Sequence, residues 1–192
     1  SITSLLKDGD HPDESAIKKT TFRPLDDRLV YYDPRLLSRS RESFVKTLPN
    51  HDNLVLISGK STKGTNINHF FVTSTFSELK CGEATKGSYM FPTYLKLVDG
   101  LGTEPEHTLN FDRRTYEKFR ASANDIEPEH VFDYIYGVLH CPAYRATYAE
   151  FLKIDFPRIP WPSNPDEFWT VAKKGGQLRR LHLMEPASIG DT

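Results

Sequence analysis

A chain of 192 residues with 38% hydrophobic and 27% charged residues suffices for one well-cored domain of ordinary soluble composition. No apolar run approaches the ~20 residues that span a bilayer, and the opening Ser1-Ile2-Thr3-Ser4-Leu5-Leu6-Lys7-Asp8 lacks the basic start and apolar core of an export signal. The net charge of −1 weighs against a nucleic-acid role, because many DNA-binding domains carry a large positive excess. Two lone cysteines, Cys81 and Cys141, suggest neither a zinc site nor a disulfide framework, so a reduced, cytoplasmic setting is expected. The missing initiator Met fits a fragment of a longer chain.

Residues 1–19 are polar around Asp8, Asp10, Asp13 and Glu14 and read as a linker or peripheral segment. A short β-rich run predicts a strand over Leu29 to Tyr32, after which Pro34 can open a helix through Leu36, Leu37, Phe44, Val45 and Leu48. Strands are predicted from Asn53 to Ser58, from Asn68 to Thr75 and from Tyr89 to Leu97, the last pushed toward an edge or bulge by Pro92. Past Gly102 the period becomes helical. Asn110 or Asp112 can cap a helix bearing Tyr116 and Phe119, and Glu129 to Leu139 repeats apolar residues at i, i+3, i+4. Pro142 starts a further helix through Tyr144, Tyr148, Phe151 and Leu152. Phe156 to Pro162 is too proline-rich for a helix and must run extended over a surface, as a strap. A last helix spans Asp166 to Leu183, weakened by Gly175-Gly176 in its middle. The fold class is therefore α/β (α+β): a small mixed sheet with helices in residues 20–100, a helical bundle in residues 101–185, and a tail over 186–192. No repeat or low-complexity segment interrupts it.

The charge distribution is less neutral than its sum. Arg23, Arg28, Arg35, Arg39, Arg41 and Lys46 crowd one segment, Lys60 and Lys63 follow a strand, and many carboxylates lie between Glu104 and Glu129. Reading DNA requires cations and small polar groups on phosphates and bidentate side chains on base edges. Lys60, Lys63, Thr65, Asn66 and Asn68 supply both kinds between two predicted strands, and Lys86 and Ser88 do so in a second loop. Arg39 and Arg41 are phosphate candidates on the outer face of a helix. Arg23 and Arg28 sit among Asp26 and Asp27 and read as a rigid corner. Tyr134, Tyr136, Tyr144, Tyr148, Phe132 and Phe151 have the spacing of rings packed between helices rather than of a base-stacking platform.

Catalytic readings are thinner. Glu78-Leu79-Lys80 matches the tail of a metal-nuclease pattern but lacks a convincing upstream acid, and a solvated loop explains it better. The seven histidines show no ligand spacing, and His140-Cys141 has no visible acid to complete a nucleophile pair. Asp33-Pro34-Arg35 and Asn164-Pro165-Asp166 lack the second proline and the aromatic of an amino-methyltransferase loop, and Gly100-Leu101-Gly102 is a bare turn. No catalytic, cofactor-binding or metal residue is assigned.

Several ordered blocks carry a family resemblance. They are Phe22-Arg23-Pro24-Leu25-Asp26-Asp27-Arg28 with Tyr31-Tyr32-Asp33, Arg39-Ser40-Arg41, Asn53-Leu54-Val55-Leu56-Ile57, Phe70-Phe71-Val72-Thr73 and Phe91-Pro92-Thr93-Tyr94-Leu95. Phe132-Asp133-Tyr134-Ile135-Tyr136-Gly137-Val138-Leu139-His140-Cys141-Pro142-Ala143-Tyr144-Arg145 follows, and then Tyr148 to Pro160. From about Thr20 to Glu185 the chain resembles the C-terminal specificity domain of type ISP restriction-modification enzymes, with Thr93 and Leu25 as framework departures. The resemblance implies a target-recognition domain that binds double-stranded DNA beside the methyltransferase core of the same parent chain. That core would hold S-adenosylmethionine and flip the target adenine, leaving this fragment without cofactor or methyl transfer. A small metal nuclease using Glu78 and Lys80, and a protein-interaction module with no DNA contact, are the competing readings.

Overall fold

The computed structural model describes residues 13–33, 35–37, 42–48, 53–63, 67–82, 86–96 and 107–190. Asp13 accepts the Ser15 backbone N–H at 2.9 Å and caps a 3-10 turn, Glu14–Ala16. β1 (Ile17–Arg23) and β2 (Asp26–Tyr31) then pair antiparallel, with Ile17 opposite Tyr31 and Arg23 opposite Asp26. Strand pairing thus begins at Ile17, inside the segment whose polarity reads as peripheral: Ile17, Lys18 and Lys19 are exposed on the ribbon. In the connecting turn Pro24 presets one position, and Leu25 takes a φ of 63°, a conformation usually left to glycine.

The single small sheet expected from sequence is three. β5 (Phe76–Ser77) lies parallel to β1, giving a mixed sheet ordered β2-β1-β5. In the second, β3 (Val55–Gly59) runs between β4 (Phe70–Thr73) and β6 (Ser88–Pro92), antiparallel to both. β7 (Tyr94–Lys96) pairs with β8 (His107–Leu109) in the third. The predicted Tyr89 to Leu97 strand breaks at Thr93, whose N–H and hydroxyl both donate to the Leu54 carbonyl at 2.8 and 3.0 Å. Pro92 closes an edge strand, where its missing N–H costs no ladder bond.

Helix α1 (Glu42–Thr47) is shorter than Pro34 suggests. Leu36 and Leu37 lie in a turn instead. There the Asp33 carboxylate accepts the Arg35 backbone N–H at 2.9 Å and its guanidinium at 2.7 and 3.0 Å, a local alternative to helical bonding.

The helical half is α2 (Arg113–Ser122), α3 (Pro128–His140), α4 (Pro142–Thr147), α5 (Ala149–Leu152), α6 (Pro165–His182) and α7 (Pro186–Ile189). Asp112 caps α2 by accepting the Thr115 N–H at 2.8 Å, and Asn164 caps α6 by accepting the Glu167 N–H at 2.8 Å. Between the second sheet and the helices lies the main core: Phe70 of β4 joins Phe119, Val131, Tyr134, Leu139 and Phe168, while Val72 of the same strand packs on Phe132 and Tyr136.

α6 runs unbroken through Gly175-Gly176. A Cβ on Gly175 would lie 1.9 Å from the Asp133 carbonyl oxygen, and one on Gly137 would lie 2.7 Å from that of Val171. The glycines let α3 and α6 cross backbone to backbone, a gain in packing that outweighs their poor helix propensity. Across this crossing Arg179, 5% exposed, donates to Asp133 at 2.7 Å and also to Glu129. Burial pushes the Asp133 carboxyl upward against the pull of Arg179, and the guanidinium stays charged despite its own desolvation because both carboxylates face it.

The proline strap is extended as expected. The surface it binds is its own domain. Tyr144 and Tyr134 hydroxyls donate to the Arg158 and Pro160 carbonyls at 2.9 and 3.0 Å, and Phe156 packs edge-on against Tyr89 and Phe91 of β6.

Candidate nucleic-acid interface

The register of the second sheet builds the candidate surface. Gly59, the last residue of β3, lies opposite Ser88, the first of β6. The antiparallel pairing therefore brings Lys60 to Lys63 beside Lys86, although the two stretches are separate in sequence. Lys86 Nζ donates to Ser61 Oγ at 2.6 Å. With Gly87 and Tyr89 they line a cleft of about 290 Å³. Lys60 also borders the cleft, its ammonium 3.9 Å from Asp155. At that distance the pair is loose and water-screened, so the ammonium is available to a stronger anion.

The other sequence candidates fall out differently. Lys63 and Asn68 are exposed near this end of the sheet's loops. Ser88 also lines this cleft, but it is 1% exposed and its hydroxyl accepts the Gly82 N–H at 2.9 Å, so it braces the loop. Thr62 is likewise turned inward, its backbone N–H donating to the Lys153 carbonyl at 3.1 Å and tying this loop to the end of α5. Arg39, Arg41, Thr65 and Asn66 lie outside the described residues. Sequence reasoning placed Ser61 in a polar loop without giving it a partner and did not single out Tyr89, because alternation along a strand does not say which face a strap will half cover.

Arg23 and Arg28 form the corner expected of them. Arg28 grips Asp26 at 2.7 Å, Arg23 reaches Glu78 at 2.9 Å, and both guanidiniums lie over the Phe22 ring at 4.1 to 4.2 Å from its centroid. Glu78 also accepts the Lys80 N–H at 2.7 Å, so the carboxylate that the nuclease reading names is engaged in holding this corner and its turn. Among the described residues no three His, Cys, Asp or Glu side chains converge as a metal site. The aromatic spacing of α3 to α5 proves to be packing: Tyr134, Tyr136, Tyr144 and Phe132 are buried, and only Tyr148 of the group is largely exposed.

Fold and surface together define an α/β domain that presents paired cationic loops from one end of a small antiparallel sheet, braced by a helical half. The chain belongs to the type ISP C-terminal specificity domain family, whose model matches residues 4–192. The ordered sequence blocks therefore pointed to the right family. No curated protein matches the chain in sequence.

Solved structures resemble it over most of its length. The ATP-dependent type ISP restriction-modification enzyme LlaBIII bound to DNA shares 22% identity at a TM-score of 0.74, over 91% of this chain and 11% of its own. A DrdV–DNA complex shares 25% identity at a TM-score of 0.72, over 91% of this chain and 16% of its own. A nuclease-deletion mutant of the type ISP restriction-modification enzyme LlaGI, in complex with a DNA substrate mimic, shares 26% identity at a TM-score of 0.62, over 88% and 11%. The chain thus spans only a small fraction of the enzymes it resembles.

Proposed function

We propose that this domain reads the DNA target of a restriction-modification enzyme, holding double-stranded DNA against a methyltransferase core in the same parent chain. The observation that carries the reading is the cleft where Lys60, Lys86 and Ser61 converge, in a family of specificity domains whose structural neighbours are DNA complexes. Lys60, Lys63 and Lys86 serve phosphates, with Arg39 and Arg41 as further phosphate contacts, and Asn66, Asn68 and Thr65 serve base edges. Binding S-adenosylmethionine and the chemistry on a flipped adenine belong to the parent's core, which makes the parent a DNA adenine methyltransferase. Neither competing reading gains an observation.

The test uses the full-length parent enzyme. Replacing Lys60, Lys63 or Lys86 by Ala should weaken binding to every duplex and flatten the plot of log affinity against log salt by about one unit for each phosphate left without its ammonium. Asn68→Ala should instead lower discrimination against a one-base variant by roughly 1–3 kcal/mol at constant salt slope. Unchanged affinity and slope in all three lysine variants would refute the assignment.

A further inference from the structure

Tyr89 and Phe91 occupy alternate positions of edge strand β6 and so point to one face of the sheet. They are 49% and 41% exposed, large aromatic surface that a domain ordinarily covers. Neither ring is loose. Phe156 stands edge-on to both, at 5.1 and 5.6 Å between centroids, and its strap is pinned to α3 and α4 by the Tyr134 and Tyr144 hydroxyls. Tyr89 also lines the same cleft as Lys60, Ser61 and Lys86. A rigid aromatic ring beside two ammonium groups and a hydroxyl has the complementarity of one ligand class, a nucleotide. Its phosphate answers the cations, and the deoxyribose beside that phosphate, open along the duplex backbone, supplies apolar surface for the ring. An apolar protein segment would leave two lysines to desolvate without a counter-charge.

We infer that Tyr89, buttressed by Phe156 and extended by Phe91, is the seat for the deoxyribose of the DNA nucleotide whose phosphate lies between Lys60 and Lys86. This rests on the DNA reading above and adds to it a contact of different physical character. Lysine contacts release counterions and depend on salt, whereas ring contact contributes mainly by burying apolar surface and leaves the salt slope alone.

Duplex binding by the full-length parent enzyme, titrated over a range of salt, tests it. Tyr89→Ala is expected to weaken binding about tenfold with the slope of wild type. Tyr89→Phe, which keeps the ring, should retain wild-type affinity. Tyr89→Leu, which keeps apolar bulk without the flat face, should lose binding like Ala and covers the case in which the Ala variant melts early. If Tyr89→Ala and Tyr89→Leu bind like wild type while Lys60→Ala and Lys86→Ala weaken and flatten the slope, the aromatic seat is wrong and the DNA reading stands. If the lysine variants are also silent, both fall, and the patch serves a protein partner instead. Equal loss in Tyr89→Phe would assign the effect to the hydroxyl and overturn the role of the ring.

Discussion

Gly175→Ala separates intrinsic helix propensity from packing. Propensity alone makes the substitution favourable by about 1 kcal/mol, since Gly175 is interior to an 18-residue helix. The crossing says otherwise. The new methyl would lie 1.9 Å from the Asp133 carbonyl oxygen, where ordinary contact begins at 3.4 Å, and the clash is with backbone that cannot rotate away. α3 and α6 must part by on the order of 1.5 Å. That displacement stretches the buried Arg179–Asp133 bond, now 2.7 Å, beyond hydrogen-bonding range. Overpacking of about 1–3 kcal/mol and partial loss of a buried ion pair worth about 3–5 kcal/mol when broken, less the propensity gain, leave a net destabilisation of about 2–4 kcal/mol. Urea denaturation followed by far-ultraviolet circular dichroism reads it as a lower midpoint, with exposed Lys174→Ala near wild type as control. A Gly175→Ala midpoint at or above wild type would refute the backbone-to-backbone crossing.

Arg179→Met should cost about 3–5 kcal/mol because it strands the Asp133 carboxylate, and adding Asp133→Leu should recover most of the loss; additive effects in the same denaturation assay would contradict the pairing. His140 is packed among Tyr136, His182 and Arg145, and its burial, with the Arg145 charge, pushes its pKa down to about 4. The neutral ring is what the fold holds, so stability from this site is full above the ordinary histidine value of 6.5 and is lost as pH falls through about 4. Allowing for the water that reaches part of the ring, the loss is about 2 kcal/mol. A His140→Phe variant should show a correspondingly flatter dependence of melting temperature on pH, and an unchanged dependence would remove His140 as its source. Ser88→Ala should cost about 1 kcal/mol by freeing the Gly82 N–H; a wild-type midpoint in the same denaturation assay would remove Ser88 as the brace of its loop.

What the sequence by itself determined is local. Asp112 caps the helix it starts, the apolar period from Val131 to Leu139 makes α3, and Pro142 restarts the chain as α4, because each signal acts within one or two turns. The strands around Val55 to Ser58 and Phe70 to Thr73 were legible for the same reason, as was the wealth of Lys, Asn and Thr in the loops beside them. Tertiary structure decided what depends on distant partners. Thr20 meets Phe76 in a parallel pair that no local pattern announces, and Gly175 turns from a weak point into a crossing point only once Asp133 lies against it. Gly59 opposite Ser88 is what places Lys60 beside Lys86 and buries the Ser88 hydroxyl, while the strap leaves Tyr89 half in water. Pairing register and burial are sums over contacts between segments far apart in the chain, and those sums exist only after the chain has folded.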